Sequence, residues 1–470
     1  MDEVIEGVMQ PLADGLSAVV FITVPLFGAE LPLVVAWLVG GAVFFTVALR
    51  GINLTGLPRS LRVLSGAFDA EEAPGEVSHA QALATALSGT VGIGNIGGVA
   101  VAVVAGGPGA TLWMILAGFL GMATKAAECT LGVRYRTVHP DGTVEGGPMQ
   151  TLTRGLAERG MPRLGRALGA FYAGGILIGC LGIGNMFQAN QALAQFVVVT
   201  GGEASFVAER GWLFGLGLAV VVATVTLGGI RSIAKVAGVL VPAMGVLYVV
   251  GALAVIVVNA EALPGAVAAI IQGAFAPEGV AGGALGAMIV GFQRAVFSNE
   301  AGIGSAAIAH SAVKTDKPGT EGLVGLLEPF VDTVVICTLT ALVIGTTAQA
   351  DPEFLSSGME GVAMTSAAFA RAFAWAPIPL AIAALLFAFS TMLSWSYYGL
   401  RGATYLLGNK AWVRHGFNAV FCLFIVLGAA VQLEAVLAFS DAMVFVLCIP
   451  NLMGLFLMTP VIREELARVV

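Results

Sequence analysis

Apolar residues follow one another along this chain in long runs, and polar and charged residues collect in the short stretches between them. A helix that crosses a bilayer needs about 20 mostly apolar residues. Eleven stretches meet that condition: 31–50, 81–105, 108–132, 166–193, 212–229, 233–258, 281–310, 325–345, 376–402, 411–431 and 435–458. Two of them are interrupted. In the first, SGTVGIGNIGGV (Ser88 to Val99) puts five glycines in twelve positions, and each glycine inside a helix costs about 1 kcal/mol relative to alanine. In the second, Gln293, Arg294, Ser298, Asn299 and Glu300 fall near the middle of 281–310.

With 31–50 set aside, the other ten divide five and five, and each interrupted stretch becomes the first helix of its half. Because five is odd, the halves lie in the membrane with opposite orientation. Paired interruptions at matching places in two such halves point to a secondary transporter with inverted repeats. The pattern therefore predicts an all-α polytopic membrane protein of about eleven transmembrane helices, two of them discontinuous. Its parts are an N-terminal interfacial segment over 1–30, an extra helix at 31–50, a first five-helix repeat at 81–258, a second at 281–458 and a cytoplasmic tail at 459–470. Within the first part, GLSAVVFITVPLFG (15–28) is too short to span and reads as an interfacial helix. A break at the bilayer midplane frees backbone groups, so that a half-helix N-terminus can hold a carboxylate and free carbonyls a cation. Most of the 63 glycines are packing residues. Those of 88–98 share their stretch with Thr90 and Asn95, and a partner break exists.

Composition agrees: 58% of the 470 residues are hydrophobic and 11% charged, with mean hydropathy +0.92, against about 25% charged in a soluble domain. With the N-terminus outside and the C-terminus inside, Arg50, Arg59, Arg62, Arg134, Arg136, Arg154, Lys314, Lys317, Arg401 and Arg414 fall in inward segments, and Arg210 and Arg371 outside. That is the basic bias expected of cytoplasmic loops. The net charge of −7 says little about partners, and no nucleic acid is expected among them. Cys129, Cys180, Cys337, Cys422 and Cys448 lie in apolar spans without C-x-x-C spacing and read as core residues. GIGNIG (Gly92 to Gly97) matches a dinucleotide fingerprint but lacks the strand and the acidic residue that motif needs.

Charges inside spans are functional candidates by default. Lys125 and Glu128 read as an interface pair, Glu328 and Asp332 as anchors to inner loops or part of an inner gate, and Arg294 and Glu300 as a gating or structural pair. His79, His139, His310 and His415 fall at inner ends or in loops, so no catalytic constellation is visible within the spans and a membrane-embedded enzyme is disfavoured. An ion channel would favour a repeated pore element; two inverted halves fit alternating access better.

The stretches SHAQALATALSGTVGIGNIGGVA, GGPGATLWMILAGFLGMATKAAECTLGVRYR, EGGPMQ, GNMFQANQA, FSNEAGIGSAAIAHSAVKTDKP, LLEPFVDTVVICTLTALVI, FSTMLSWSYYG and IPNLMGLF resemble the alanine or glycine:cation symporter family, from about residue 30 to the C-terminus. The resemblance implies a leucine-transporter-type fold of two inverted five-helix repeats with one helix added in front. It also implies uptake of a small neutral amino acid, with sodium or in some members a proton as coupling ion, in the cell membrane. For the site it implies that amides near Gly92 to Gly94 face the substrate carboxylate, while carbonyls of Ser88 and Val91 and hydroxyls of Ser390 and Thr391 hold sodium. Around the substrate, Thr90 and Asn95 share the break and Gln188 can reach the ammonium. Phe297 forms an apolar wall, and Trp395, on the helix face of Thr391, caps the pocket.

Overall fold

The computed structural model describes residues 10–11, 14–26, 29–68, 73–276, 283–351 and 353–469. Residues 14–20 are helical, but the expected interfacial helix stops there: β1 (Thr23–Leu26) pairs antiparallel with β2 (Ala29–Pro32). Pro25 and Pro32 supply the reason, since proline in a helix interior removes a hydrogen bond and clashes with the preceding turn. The beginning of the predicted N-terminal segment, 1–9, and the start of the second interrupted span, 281–282, lie outside the described residues.

Apart from one more small hairpin and the connections, the rest is helical. In chain order come α1 (Leu33–Ala48), α2 (Leu57–Leu64), α3 (His79–Thr90), α4 (Gly97–Gly106), α5 (Ala110–Arg134), α6 (Pro162–Gly179), α7 (Phe187–Val199), α8 (Gly211–Thr226), α9 (Gly229–Val258) and α10 (Leu263–Phe275). They are followed by α11 (Gly283–Asn299), α12 (Ala306–His310), α13 (Pro318–Gly325), α14 (Thr338–Ala350), α15 (Gly361–Ala372), α16 (Pro377–Leu407), α17 (Ala411–Gly428), α18 (Leu433–Leu457) and α19 (Thr459–Ala467). Among the described residues seven helical stretches are long and apolar enough to cross a membrane, eight when α3 and α4 count as one bent span; α1, α8 and the stretch containing α10 are shorter apolar helices. Two of the seven run through π-type turns: α6 continues through 182–186 into α7, and α13 through 330–337 into α14. Helices α10 and α15 fall in stretches expected to be connections.

Sequence explains where the first break sits. Ser78 accepts a hydrogen bond from the Gln81 amide, and the Gln81 side chain accepts one from the Ser78 amide, a reciprocal cap that starts α3 firmly. After Thr90 the glycine-rich stretch gives way to a short 3-10 turn at Ile93–Asn95, and α4 leaves at 58° to α3. The second break lies further along than expected. Gln293 through Asn299 remain helical, and the chain turns at Glu300, with φ of 58°, followed by Gly302 and Gly304 at 95° and 86°. Glu300 is the costly member, because a non-glycine residue rarely adopts that region.

One end of the bundle is basic. There Arg136, just past α5, donates to the carbonyls of Pro74 at 2.7 Å, Ser311 at 2.8 Å and Thr315 at 2.6 Å. Arg401 donates to Val144 at 2.9 Å in the small hairpin of β3 (Thr137–Val138) and β4 (Val144–Glu145). The start of α3, the end of α5 and the segment after α12 thus meet at this basic end.

Candidate functional site

Breaking a helix leaves backbone groups that must find partners once buried. At the first break the partners come from four directions. The Gly92 amide donates to Asn95 Oδ1 at 2.8 Å and the Ile93 amide to Gln188 Oε1 at 3.2 Å. The Asn95 carbonyl accepts from Thr340 at 2.7 Å and the Ile96 carbonyl from Thr365 at 3.0 Å. So α7, α14 and α15 are tied to the turn by neutral side chains.

Gly92 is glycine because of what approaches it. A Cβ there would lie 2.6 Å from Thr391 Oγ1 and 3.2 Å from Gln188 Oε1. Thr391 is buried, and its hydroxyl has no hydrogen-bond partner among the described residues. A buried hydroxyl without a partner carries a desolvation cost of roughly 1–3 kcal/mol, which a ligand bonded there would relieve. Gly94 differs: a Cβ there would make ordinary contact, 3.7 Å from the Phe297 ring.

The serine and threonine hydroxyls beside Thr391 on α3 and α16 are satisfied. Ser88 and Ser394 bond to each other, Ser394 donates to the Thr85 carbonyl at 2.7 Å, and Ser88 reaches the Ser390 carbonyl at 3.3 Å. Ser390 donates back to Phe387 at 3.0 Å. Thr90 bonds to the carbonyls of Ala86 and Leu87, each at 3.4 Å, and the Val91 amide closes the last turn of α3 on Leu87 at 2.7 Å. Sequence reasoning missed Ser394, one helical turn from Ser390 on the same face. It also missed Tyr398, whose buried hydroxyl has no hydrogen-bond partner among the described residues and lies 3.2 Å from where a Gly89 Cβ would be.

Phe297 stands against the break, edge-to-face with Phe187 at 5.0 Å between centroids. The Arg294 guanidinium lies over the Phe297 ring, 5.0 Å from its centroid. Trp395 is fully buried and donates from Nε1 to Glu300 Oε1 at 2.9 Å. Its ring lies so close to α7's preceding turn that a Cβ on Gly184 would be 2.0 Å from Trp395 Cγ. The indole therefore joins the 182–186 turn to the second break, while Thr391 on the same helix joins the first.

The charged residues are partnered differently from the expected pairs. Lys125 reaches Glu328 at 3.2 Å, and Glu128 instead accepts from the Gly302 amide at 2.9 Å and from Asn451 at 2.7 Å. Arg294 pairs with Asp441 of α18 rather than with Glu300, which bonds Ser305 and Trp395. Asp332 is no loop anchor: its carboxylate accepts from Asn95 at 2.6 Å, Ser298 at 2.8 Å and Thr333 at 2.7 Å, linking both interrupted spans. His310, expected at an inner end, is buried between Glu321 and Glu328. Most of these partners come from segments far apart in sequence, so spacing carried little signal for them.

Two interrupted helices, with polar groups gathered at the breaks of a many-spanned bundle, point to a multi-pass membrane carrier. The match of the sodium:alanine symporter family model to residues 17–469 is decisive: the chain belongs to that family, of sodium-coupled amino-acid symporters and not of enzymes. It is 39% identical over 436 residues to the sodium/alanine symporter AgcS of Methanococcus maripaludis, covering 92% of this chain and 93% of that one. It is 34% identical to a probable sodium/glutamine symporter, GlnT, of Bacillus subtilis, covering 92% and 87%. The solved structure of MhsT with L-phenylalanine matches with a TM-score of 0.58 at 15% identity, over 84% of this chain and 99% of that one, which shows the leucine-transporter-type fold.

Proposed function

We propose that this chain imports alanine, glycine or a similarly small neutral amino acid together with sodium, by alternating access across the cell membrane. The observation that carries the reading is the convergence of Gly92, Gln188 and the unpartnered Thr391 hydroxyl at the first break. A substrate carboxylate takes the Gly92 and Ile93 amides from the side-chain oxygens of Asn95 and Gln188, one set of acceptors replacing another. The Gln188 side chain, released from Ile93, then turns to the ammonium. Phe297 bounds the side chain of the substrate, and Trp395, braced against Gly184, limits its size.

Sodium prefers hard oxygen donors. In this reading it lies between α3 and α16, on the carbonyls of Ser88 and Val91 and the hydroxyls of Ser390 and Thr391. A cation there ties the broken span to α16, which makes amino-acid binding depend on sodium. Asp332, hydrogen-bonded to Asn95, adds negative potential at the break without contacting the ion. The membrane arrangement that goes with this is eleven spans in two inverted repeats behind one added helix, the N-terminus outside and the basic end in the cytoplasm.

Labelled alanine uptake into proteoliposomes, with sodium and proton gradients imposed separately, tests the reading. Uptake is expected to saturate and to follow the sodium gradient, and alaninamide, which lacks the carboxylate, is not expected to compete. Uptake driven by the proton gradient alone overturns sodium as the coupling ion, and strong competition by the amide overturns the carboxylate site.

A further inference from the structure

At the basic end, three residues from two segments stand in line. His310, the last residue of α12, places Nδ1 2.6 Å from Glu321 Oε1 and Nε2 2.5 Å from Glu328 Oε1. All three side chains are fully buried. A neutral imidazole carries one N–H and one bare lone pair. It can donate to one carboxylate and must then face the other with lone pair against lone pair, which no pair of atoms at 2.5–2.6 Å tolerates. The line closes only with one more proton, on the second ring nitrogen or on a carboxyl group.

Charge balance asks for the same proton. Lys125, wholly buried, stands 3.2 Å from the second oxygen of Glu328. With His310 neutral, Lys125 and the two carboxylates sum to −1; with the proton added the quartet is neutral. Burying an uncompensated charge is far costlier than burying a neutral cluster. That sum covers these four side chains; other groups face them from every side. From α3, His79 bonds the remaining oxygen of Glu321 at 2.5 Å. On α5, Cys129 faces His310, and Glu128 acts with Glu300 on Lys125. Tyr398 of α16 faces Glu328, and Arg136, at the surface of the basic end, acts on Glu321 from outside the cluster.

We infer that Glu321, His310 and Glu328 form a proton-binding site, which holds one proton while the basic end is closed and exchanges it when that end opens. The placement gives the proton a task. His79 begins the first interrupted span and His310 ends the second, so the line fastens the basic-end halves of both breaks. Opening brings water to the line, and at alkaline pH the proton leaves. Two carboxylates then repel across a neutral ring, and reclosure slows. The inference rests on the carrier reading for this effect on the cycle; the bound proton itself is measurable without substrate.

Glu321→Gln separates the possibilities. The amide carbonyl accepts from His79, its NH2 donates to a neutral His310, and His310 donates to Glu328, so every hydrogen bond survives with no extra proton and the quartet stays neutral. Infrared difference spectra of the purified protein, wild type against Glu321→Gln at pH 7 and without substrate, are expected to lose one protonated-carboxyl or imidazolium band. Sodium-driven uptake at equal pH on both sides is expected to fall by about tenfold per pH unit on the alkaline limb for the wild type, the slope of a single proton. Glu321→Gln is expected to vary less than about twofold over the same range. A wild type whose spectrum between pH 6 and 9 carries neither band overturns the proposal, whether or not the variant folds. So does a variant that keeps the wild-type pH profile.

Discussion

The two breaks differ in the charge of the groups that surround them. At the first, neutral oxygens and amides do the work: Asn95, Gln188, Thr340 and Thr365, with the single carboxylate of Asp332 behind Asn95. At the second, Asn299 accepts from the Ala301 amide and Asn451 donates to the Gly302 carbonyl, each at 2.9 Å, but two buried carboxylates take part as well. Glu300 bonds Ser305 and Trp395 from a left-handed backbone, and Glu128 receives the Gly302 amide. Charge-assisted hydrogen bonds are roughly twice as strong as neutral ones. A neutral partner is exchanged for a ligand at small cost, whereas a buried carboxylate released from its donors has nowhere to go. The first break is therefore built to trade its contacts, and the second to keep them.

Removing the charge that balances the second break should have the largest effect. Lys125 pairs with Glu328 and acts on Glu128 and Glu300 as well. Lys125→Met leaves those carboxylates uncompensated, with an expected loss of about 3–5 kcal/mol, the range for breaking a buried ion pair. Thermal unfolding in detergent checks this: a large fall in Tm is expected, largely restored by adding Glu328→Gln. An unchanged Tm for the single variant means that the carboxylates are not held by Lys125, and the contrast between the breaks fails.

Next comes a test of the first break alone. Gly92→Val drives a side chain into Thr391 and Gln188, while Gly94→Ala meets only the Phe297 ring at contact distance. The first should abolish uptake with the protein still folded by size-exclusion profile, and the second should retain most of it. If Gly94→Ala is the more damaging, the ligand lies on the Phe297 side of the turn, away from Thr391.

Much of this was legible in the residues, and what was not has a common cause. Spans and the first break follow from apolar run length and from glycines, which are properties of neighbours in sequence. The second break was placed too early because Gln293 to Asn299 look like helix breakers. Instead Ser298 finds Asp332, Asn299 finds Thr333 at 2.9 Å and Arg294 finds Asp441, so the helix carries them to the turn. The line of His310, Glu321 and Glu328 was invisible for the same reason. Glu321 and Glu328 share one helical stretch, but His310, His79 and Lys125 come from three others, and α12, five residues long, was read as the end of a spanning helix. Spacing on one helix did place Thr391 and Trp395 on one face; tertiary packing alone decided that they meet different breaks.

The finest test concerns one hydroxyl at the neutral break. Ser88, Ser390 and Ser394 already spend their hydroxyls on backbone carbonyls or on each other, so each has somewhere to bond with or without an ion. Thr391 has no such partner and points at the break. If a cation satisfies it, binding gains about what a single hydrogen-bond deletion normally costs, roughly 1 kcal/mol. Thr391→Ala should then raise the sodium concentration for half-maximal uptake by about fivefold, and Thr391→Ser, which keeps the oxygen, by much less. Ser390→Ala should shift it weakly, because its hydroxyl is already bonded to Phe387. Linkage requires sodium and amino acid to raise each other's affinity by the same factor, so binding of alanine at fixed sodium should weaken in step with the sodium curve. A Thr391→Ala protein with an unchanged sodium curve and uptake still driven by sodium removes the ion from the interface of α3 and α16. The unpartnered hydroxyl would then belong to the amino acid, and the neutral break would trade its contacts for one ligand rather than two.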